Sequence, residues 1–383
     1  MAPPSDTATT LHAETPSRDR PPANLVGPMA WVRANLFNSW ISSIVTIVLG
    51  VGIFLLARGL LEWGVINAVW SVPTLANGAP DPAACRAVQG VGACWAEIGD
   101  KWRFTLFGRY PYDQQWRPAI CIALFLGLYA VSGMRKFWRK ELVYIWVGTL
   151  ALIFLLMWGG VFGLSAVPQD EWGGLPITLI LATFGLACAF PLAVLVALGR
   201  RSTELPAVKM LCVVYVELIR GVPLVALLFM VSVMLPLFLP TGYNIDKLLR
   251  AQIAIILFVA AYVAEVVRGG LQALPKGQSE AADALGLNYW QKQFKIILPQ
   301  ALRLVIPPLV NTFIGFFKDT SLVVIIGIFD LLLSGKTALS DPTWNGAAAE
   351  MYSFVAAIYF AFCYAMSSYS RNLEAKLGRS RNR

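Results

Sequence analysis

Eight apolar runs, each near the length that crosses a hydrocarbon layer, divide this chain. They cover about 40–60, 117–134, 143–166, 176–198, 213–239, 249–268, 304–330 and 350–370. A span needs about 20 apolar residues to cross a core of roughly 30 Å. Lipid offers the backbone no hydrogen-bond partner, so such runs must close their own bonds as helices. The expected fold is an all-α polytopic membrane protein with about eight transmembrane helices. Composition agrees: charged residues are 14% of the 383, and mean hydropathy is +0.63. Soluble domains carry about 25% charge, so a soluble globular enzyme is excluded.

Indole rings prefer the membrane interface, and Trp40, Trp63, Trp116 and Trp138 flank the first two runs. The chain holds 31 Lys and Arg against 22 Asp and Glu. A basic excess can signal nucleic acid. Here it sits in short loops between apolar runs, so no nucleic-acid partner is expected. With the N-terminus inside, 20 Lys and Arg fall on inner segments and 8 on outer ones. Four of those eight lie in one long exterior loop, 61–116, and a fifth, Arg117, at its edge, where the charge rule is weak. An even number of spans then puts both termini in the cytoplasm. Residues 1–38 lack an apolar leader core and read as a disordered cytoplasmic tail. Residues 371–383 read as a basic cytoplasmic tail.

His12, the one histidine, lies in the polar tail. Histidine-based catalysis and His-rich metal sites are therefore excluded. The six cysteines form no C-x-x-C pair, so no metal site is expected. Cys121, Cys188, Cys212 and Cys363 lie in spans and read as small packing residues. Cys85 and Cys94 share the exterior loop. In an oxidising compartment they can form a disulfide; the alternative is two free thiols. Ser334-Gly335-Lys336-Thr337 ends like a phosphate-binding loop. Such a loop needs glycine five positions before Gly335, where this chain has Asp330. No nucleotide is cradled there.

The segment after the sixth run, Gly277 to Pro299, carries the most information. Ser279 suits a helix N-cap, Glu280 and Asp283 suit the positive helix end, and Gly286 suits a left-handed stop. Trp290, Phe294 and Leu298 recur at i, i+4 and i+8 as one apolar stripe. Pro299 suits the start of a further helix. Ala281, Ala282 and Gly286 present little bulk, so a partner protein can approach closely. The pattern Glu280-Ala281-Ala282, Gly286, Ile296, Leu298-Pro299 resembles the EAA loop of ABC-importer permeases. Val216 to Pro223 resembles the E-x-x-R-G-T-P element of polar amino-acid permeases, with Val222 in place of Thr. Tyr262 to Gly270 and Lys318 to Leu322 resemble two further elements of that family. These cover a five-helix core at about 176–370. The three preceding spans, at 39–166, and the loop with Gly92 to Trp95 and Gly108 to Pro111 resemble the M-type permease of general L-amino-acid (Aap/Bzt) importers.

Charges inside the membrane need a partner or a wet cavity. Glu265 and Arg268 stand at i, i+3; either they neutralise each other or Glu265 faces the substrate path. Glu217 and Arg220 have the same spacing and read as a structural pair. Lys318-Asp319-Thr320-Ser321 interrupts the seventh run, and Asn311 lies two turns before Lys318. Two readings stand. One is a broken helix in which Glu265, Asn311, Lys318, Asp319, Thr320 and Ser321 line the amino-acid path. The other is a self-paired structural break.

The resemblance implies a bacterial inner-membrane permease, not an enzyme, that moves L-amino acids by alternating access. It implies a heterodimer with a second homologous permease, two ABC ATPase subunits and a periplasmic solute-binding protein. The EAA loop would dock on the ATPase. This chain would hold no cofactor, and ATP and Mg would sit on the partner ATPase. The rival reading is an ion-coupled secondary amino-acid transporter acting alone. Its marks would be paired discontinuous helices in two repeats and no coupling helix.

Overall fold

The computed structural model describes residues 27–381 apart from 77, 241, 243, 244, 345 and 346. It comprises two compact units, 1–68 and 69–383.

In the first unit, α1 (Pro28–Leu36) precedes α2 (Trp40–Leu61), which continues into a π turn, Glu62–Ile66. Ser39 caps α2 by accepting from the Ser42 amide at 3.2 Å. The Ser42 and Thr46 hydroxyls donate back to the Leu36 carbonyl at 3.1 and 2.9 Å. α2 buries none of its residues, so its apolar circumference suits lipid. The expected disordered tail is corrected over 28–36. Pro28 fixes a helical φ in the first turn of α1. The rest of that expectation, 1–26, lies outside the described residues.

In the second unit the order is α3 (Ala83–Ala87), α4 (Trp95–Phe107), α5 (Trp116–Gly133), α6 (Glu141–Trp158), α7 (Gly174–Arg201), α8 (Pro206–Gly221), α9 (Leu224–Phe229) and α10 (Lys247–Gln272). Then come α11 (Gly277–Ala284), α12 (Tyr289–Gln291), α13 (Leu298–Leu304), α14 (Ile306–Asp319), α15 (Leu331–Ala338) and α16 (Ala348–Arg381). Among the described residues seven helical stretches are long and apolar enough to span a membrane. An eighth is a bent pair, Pro206–Gly221 with Leu224–Phe238, at 103°.

Several boundaries differ from the apolar runs. The third span ends at Trp158, because Gly159 and Gly160 take φ of 71° and 73°, a conformation open to glycine. The fifth run is two helices. Val222 is extended at φ −109°, ψ 133° before Pro223, as proline requires of its predecessor. The seventh span stops at Ile326, where Gly327 is left-handed. The last helix runs through the basic segment to Arg381.

Long helices α7 and α10 form the centre of the core. Gly185 lets them approach: a Cβ there would meet Ile255 Cγ2 at 2.8 Å and Phe316 at 3.1 Å. Gly270 likewise faces the Ala301 carbonyl at 2.8 Å. Without a hydrophobic driving force in lipid, such close backbone contact is what holds helices together. Phe125 of α5 and Ile153 and Met157 of α6 are fully buried in the same core. Arg117 is buried too, donating to Leu156 O at 2.6 Å and Ser165 O at 3.0 Å. It thereby ties α5 to the end of α6.

The segment before α5 is built on α15 and α16. Cys85 and Cys94 are bonded as a disulfide. The Cys94 amide donates to Glu350 of α16 at 2.8 Å, and Lys101 pairs with Asp341 at 2.6 Å.

Candidate functional site

The Gly277–Pro299 segment is a helical hairpin at the end of α10. The Gln278 amide bonds to Pro275 O at 3.2 Å, and Ser279 and Glu280 amides bond to Lys276 O at 2.9 and 3.1 Å. α11 therefore starts before Ser279, which is not its N-cap; Lys276 holds that position without a side-chain bond. Gly286 is left-handed at φ 72°, and the Leu287 amide returns to Ala282 O at 3.2 Å, closing the helix as a glycine stop does.

Asn288 and Gln291 form a reciprocal capping box, which starts the second arm. That arm is continuous through a π turn, Lys292–Ile297, into α13. Pro299 thus lies inside a helix and does not open one. The wider turn gives room to a residue that lacks an N–H and crowds the preceding turn. Asp283 does not serve the start of α11; it binds Lys292 Nζ at 2.7 and 3.0 Å and clamps the two arms.

The hairpin has two sides. Ala282, Ile297 and Leu298 are buried against the chain, and Ile296 is half-buried. Glu280, Ala281, Gly286 and Pro299 are exposed. So are Leu285 at 79%, Trp290 at 56% and Phe294 at 50%, with the last two rings stacked at 5.7 Å. The Trp290–Phe294 part of the stripe therefore covers none of this chain's core, whereas Leu298 does. Ala282 faces inward, so its small size serves packing within the hairpin.

Where α7, α8 and α10 end near the hairpin, their charges form one network. Arg200 donates to Glu265 at 2.7 Å and to Glu217 at 2.9 Å. Arg268 binds the same Glu265, with Nε at 3.1 Å. Arg220 lies 3.8 Å from Glu265 and 5.5 Å from the Tyr262 ring. The Glu265–Arg268 pair is present. Glu217 pairs across to Arg200 instead of to Arg220. Sequence reading missed Arg200, since its partners lie 17 and 65 residues away and no spacing rule links them.

The Lys318–Ser321 run lies where α14 tightens into a 3-10 helix, Thr320–Ile326. Thr320 is fully buried and donates to Phe317 O at 2.7 Å; the Ser321 hydroxyl donates to Lys318 O at 2.8 Å. Asn311 and Lys318 are exposed and Asp319 is half-buried. Among the described residues no ion pair joins Lys318 to Asp319, and no bond joins Glu265 to this run. Ser334–Thr337 lies within α15, with Gly335 packed on Val355 and Met351, so no phosphate loop forms.

A family model described as binding-protein-dependent transport system inner membrane component matches residues 189–379. The Escherichia coli (strain K12) protein named inner membrane amino-acid ABC transporter permease protein YhdY is 49% identical, over 92% of this chain and 94% of its own length. The chain belongs to the inner-membrane permeases of amino-acid ABC transporters. This permease is also 38% identical to the Rhodobacter capsulatus glutamate/glutamine/aspartate/asparagine transport system permease protein BztC, over 94% of this chain and 95% of that one. A crystal structure of an amino acid ABC transporter with histidines matches 53% of the permease and 92% of the solved chain, at 32% identity and a TM-score of 0.47. The hairpin, the arginine–glutamate network and the Lys318 run all fall within the family-matched part of the permease.

Proposed function

We propose that the permease is one membrane subunit of an ATP-driven importer of L-amino acids, coupled through the Gly277–Pro299 hairpin to a separate ATPase. The observation that carries this reading is the outward side of the hairpin. Large exposed apolar side chains rimmed by polar residues mark a protein contact, and Leu285, Trp290 and Phe294 stand on a hairpin whose other side is anchored in the core. In this reading two ATPase subunits bind ATP and Mg, close on each other and carry the hairpins with them. The motion passes into α10 and α13, and the spans alternate between inward- and outward-facing forms.

The reading includes a second, homologous permease as a heterodimeric partner and a periplasmic solute-binding protein that delivers the amino acid. The names of the relatives support amino acids as the substrate class. Both termini and the hairpin face the cytoplasm, and the disulfide segment faces the periplasm. Asn311, Lys318, Asp319 and Ser321 line the path of the amino acid between the two permeases, and Thr320 shapes the helix that presents them.

Leu285→Arg tests the coupling. Leu285 covers no core, so the variant is expected to insert at normal abundance while ATPase co-purification and amino-acid uptake both fall at least tenfold. Normal ATPase attachment with normal uptake overturns the coupling role. Reporter fusions after residues 100 and 383 are expected to read periplasmic and cytoplasmic. The reverse pattern overturns the orientation.

A further inference from the structure

A second polar site lies at the opposite end of α10 from the hairpin. A cleft of about 330 Å³ opens there, bounded by Arg109 after α4, Asp170 and Trp172 before α7, Asp246 and Lys247 at the start of α10, and Phe329 before α15. That volume is at the small end of the roughly 300–1,000 Å³ range of ligand sites. Its two acids and two bases are not spent on one another. Asp246 is committed, accepting from the Leu248 and Leu249 amides at 2.8 and 3.4 Å. Among the described residues Lys247 donates one bond, to Gly327 O at 3.3 Å. The Arg109 guanidinium lies over the Phe329 ring at 3.8 Å, which fixes its plane and leaves its N–H edge free. Among the described residues neither Arg109 nor Asp170 has a hydrogen bond or ion pair, although both line this cleft.

Backbone geometry also holds the cleft in shape. Gly108, Gly173 and Gly174 bring the end of α4 onto the start of α7, where a Cβ on Gly108 would lie 2.5 Å from the Gly173 Cα. The Gly174 amide binds Phe329 O at 2.9 Å. Arg109, Asp170 and Phe329 are therefore carried by segments locked together at the backbone. A free guanidinium edge, an ammonium with one long bond to a carbonyl and a free carboxylate around a small cleft match a zwitterion. A carboxylate fits the guanidinium edge and the lysine ammonium, and an ammonium fits Asp170.

We propose that this cleft binds a free α-amino acid, with Arg109 and Lys247 holding its carboxylate and Asp170 its ammonium. The proposal rests on the amino-acid importer reading and adds a receiving site on this chain, distinct from the Lys318 path.

The test uses the full importer complex in nanodiscs, without binding protein or ATP, titrated with radiolabelled L-glutamine. Saturable binding is expected, with 4-aminobutanamide (no carboxylate) and 4-carbamoylbutanoate (no ammonium) failing to compete. Arg109→Gln and Asp170→Asn are expected to weaken binding by roughly tenfold or more, the loss of one charge-assisted hydrogen bond. Both side chains are exposed, so an unchanged thermal midpoint is the check on folding. No saturable binding up to roughly 10 mM, or full affinity in both variants, overturns the proposal. So do variants that weaken docking of the binding protein while leaving L-glutamine affinity intact. ATP-driven L-glutamine uptake is measured on the same complexes with binding protein added. Uptake without binding at the cleft leaves the importer reading standing; absence of uptake of every L-amino acid tested overturns that reading instead.

Discussion

Arg200 Nη1 lies 2.7 Å from Glu265 Oε2, joining the end of α7 to α10 across 65 residues of sequence. Glu265 is the hub of three guanidiniums, and its side chain is only 25% exposed. Removing one arginine leaves the carboxylate two partners. Removing the carboxylate takes the shared partner from all three, leaving Arg200 with Glu217 alone and Arg220 and Arg268 without an ion pair among the described residues. Glu265→Gln is therefore expected to lower the thermal midpoint of the purified permease more than Arg200→Gln does. The expected difference is about 1–3 kcal/mol, the cost of an uncompensated, partly buried charge. Equal midpoints in the two variants would remove the hub role.

Gly286 offers a separable test of the helix stop. An added Cβ meets nothing within 4 Å, so only the φ of 72° penalises a side chain. Gly286→Ala is expected to destabilise the hairpin by about 1–2 kcal/mol. Gly286→Asn is larger yet tolerates the left-handed region, and is expected to recover most of that loss. Amide hydrogen exchange over residues 277–299 reads the difference. Equal protection in all three proteins would show that backbone conformation there is unimportant.

Glu97 predicts a pH dependence. Its side chain is fully buried and both its oxygens lack a hydrogen-bond partner among the described residues. Burial, and next the charge of Glu350, push its carboxyl up to about 8. The folded state thus holds a proton that the unfolded chain releases near 4.5. Stability from this group is full below that value and is lost as pH rises through about 8. The Lys101 ammonium has the opposite effect on Asp341, holding it down at about 2. That contribution is lost only in strong acid, outside the Glu97 window. Thermal midpoints are expected to fall by several degrees from pH 5 to 9. Glu97→Gln is expected to flatten that fall; an unchanged slope in the variant would reject the assignment.

Replacing Cys85 and Cys94 by serine is expected to loosen residues 69–94 without releasing the spans. Closing so short a loop is worth about 2–3 kcal/mol in the chain-entropy model. Limited proteolysis should cut that segment faster in the double variant, with the membrane fragment after it left whole. Cutting at the wild-type rate would mean that the Cys94–Glu350 bond and the surrounding packing suffice.

Local chemistry wrote much of this molecule into its sequence. Helical spans follow from apolar length alone, and the hairpin's glycine stop follows from Gly286. What the sequence hid depends on distance or on neighbouring turns. Arg200 reads as a loop charge until α7, α8 and α10 come together. Arg117 reads as an exterior basic residue, yet it is buried on carbonyls 39 and 48 residues away. Pro299 looks like a helix start because the π turn that accommodates it has no residue signature. The fifth run looks continuous because hydropathy is blind to direction, and only Val222-Pro223 marks its bend.

The π turn at Lys292–Ile297 also constrains chain length. A helix advances about 100° per residue, and a π turn is one residue more than the α path needs. Deleting a single residue there would let the arm relax to a plain α-helix, with its anchored end at Leu298 unmoved. Trp290 would then keep its present side of the axis, because the residue lost is the one that the wider turn absorbs. A one-residue loss inside the turn is therefore silent at this face, whereas a loss between the turn and Leu298 would rotate Trp290 by about 100° around the axis.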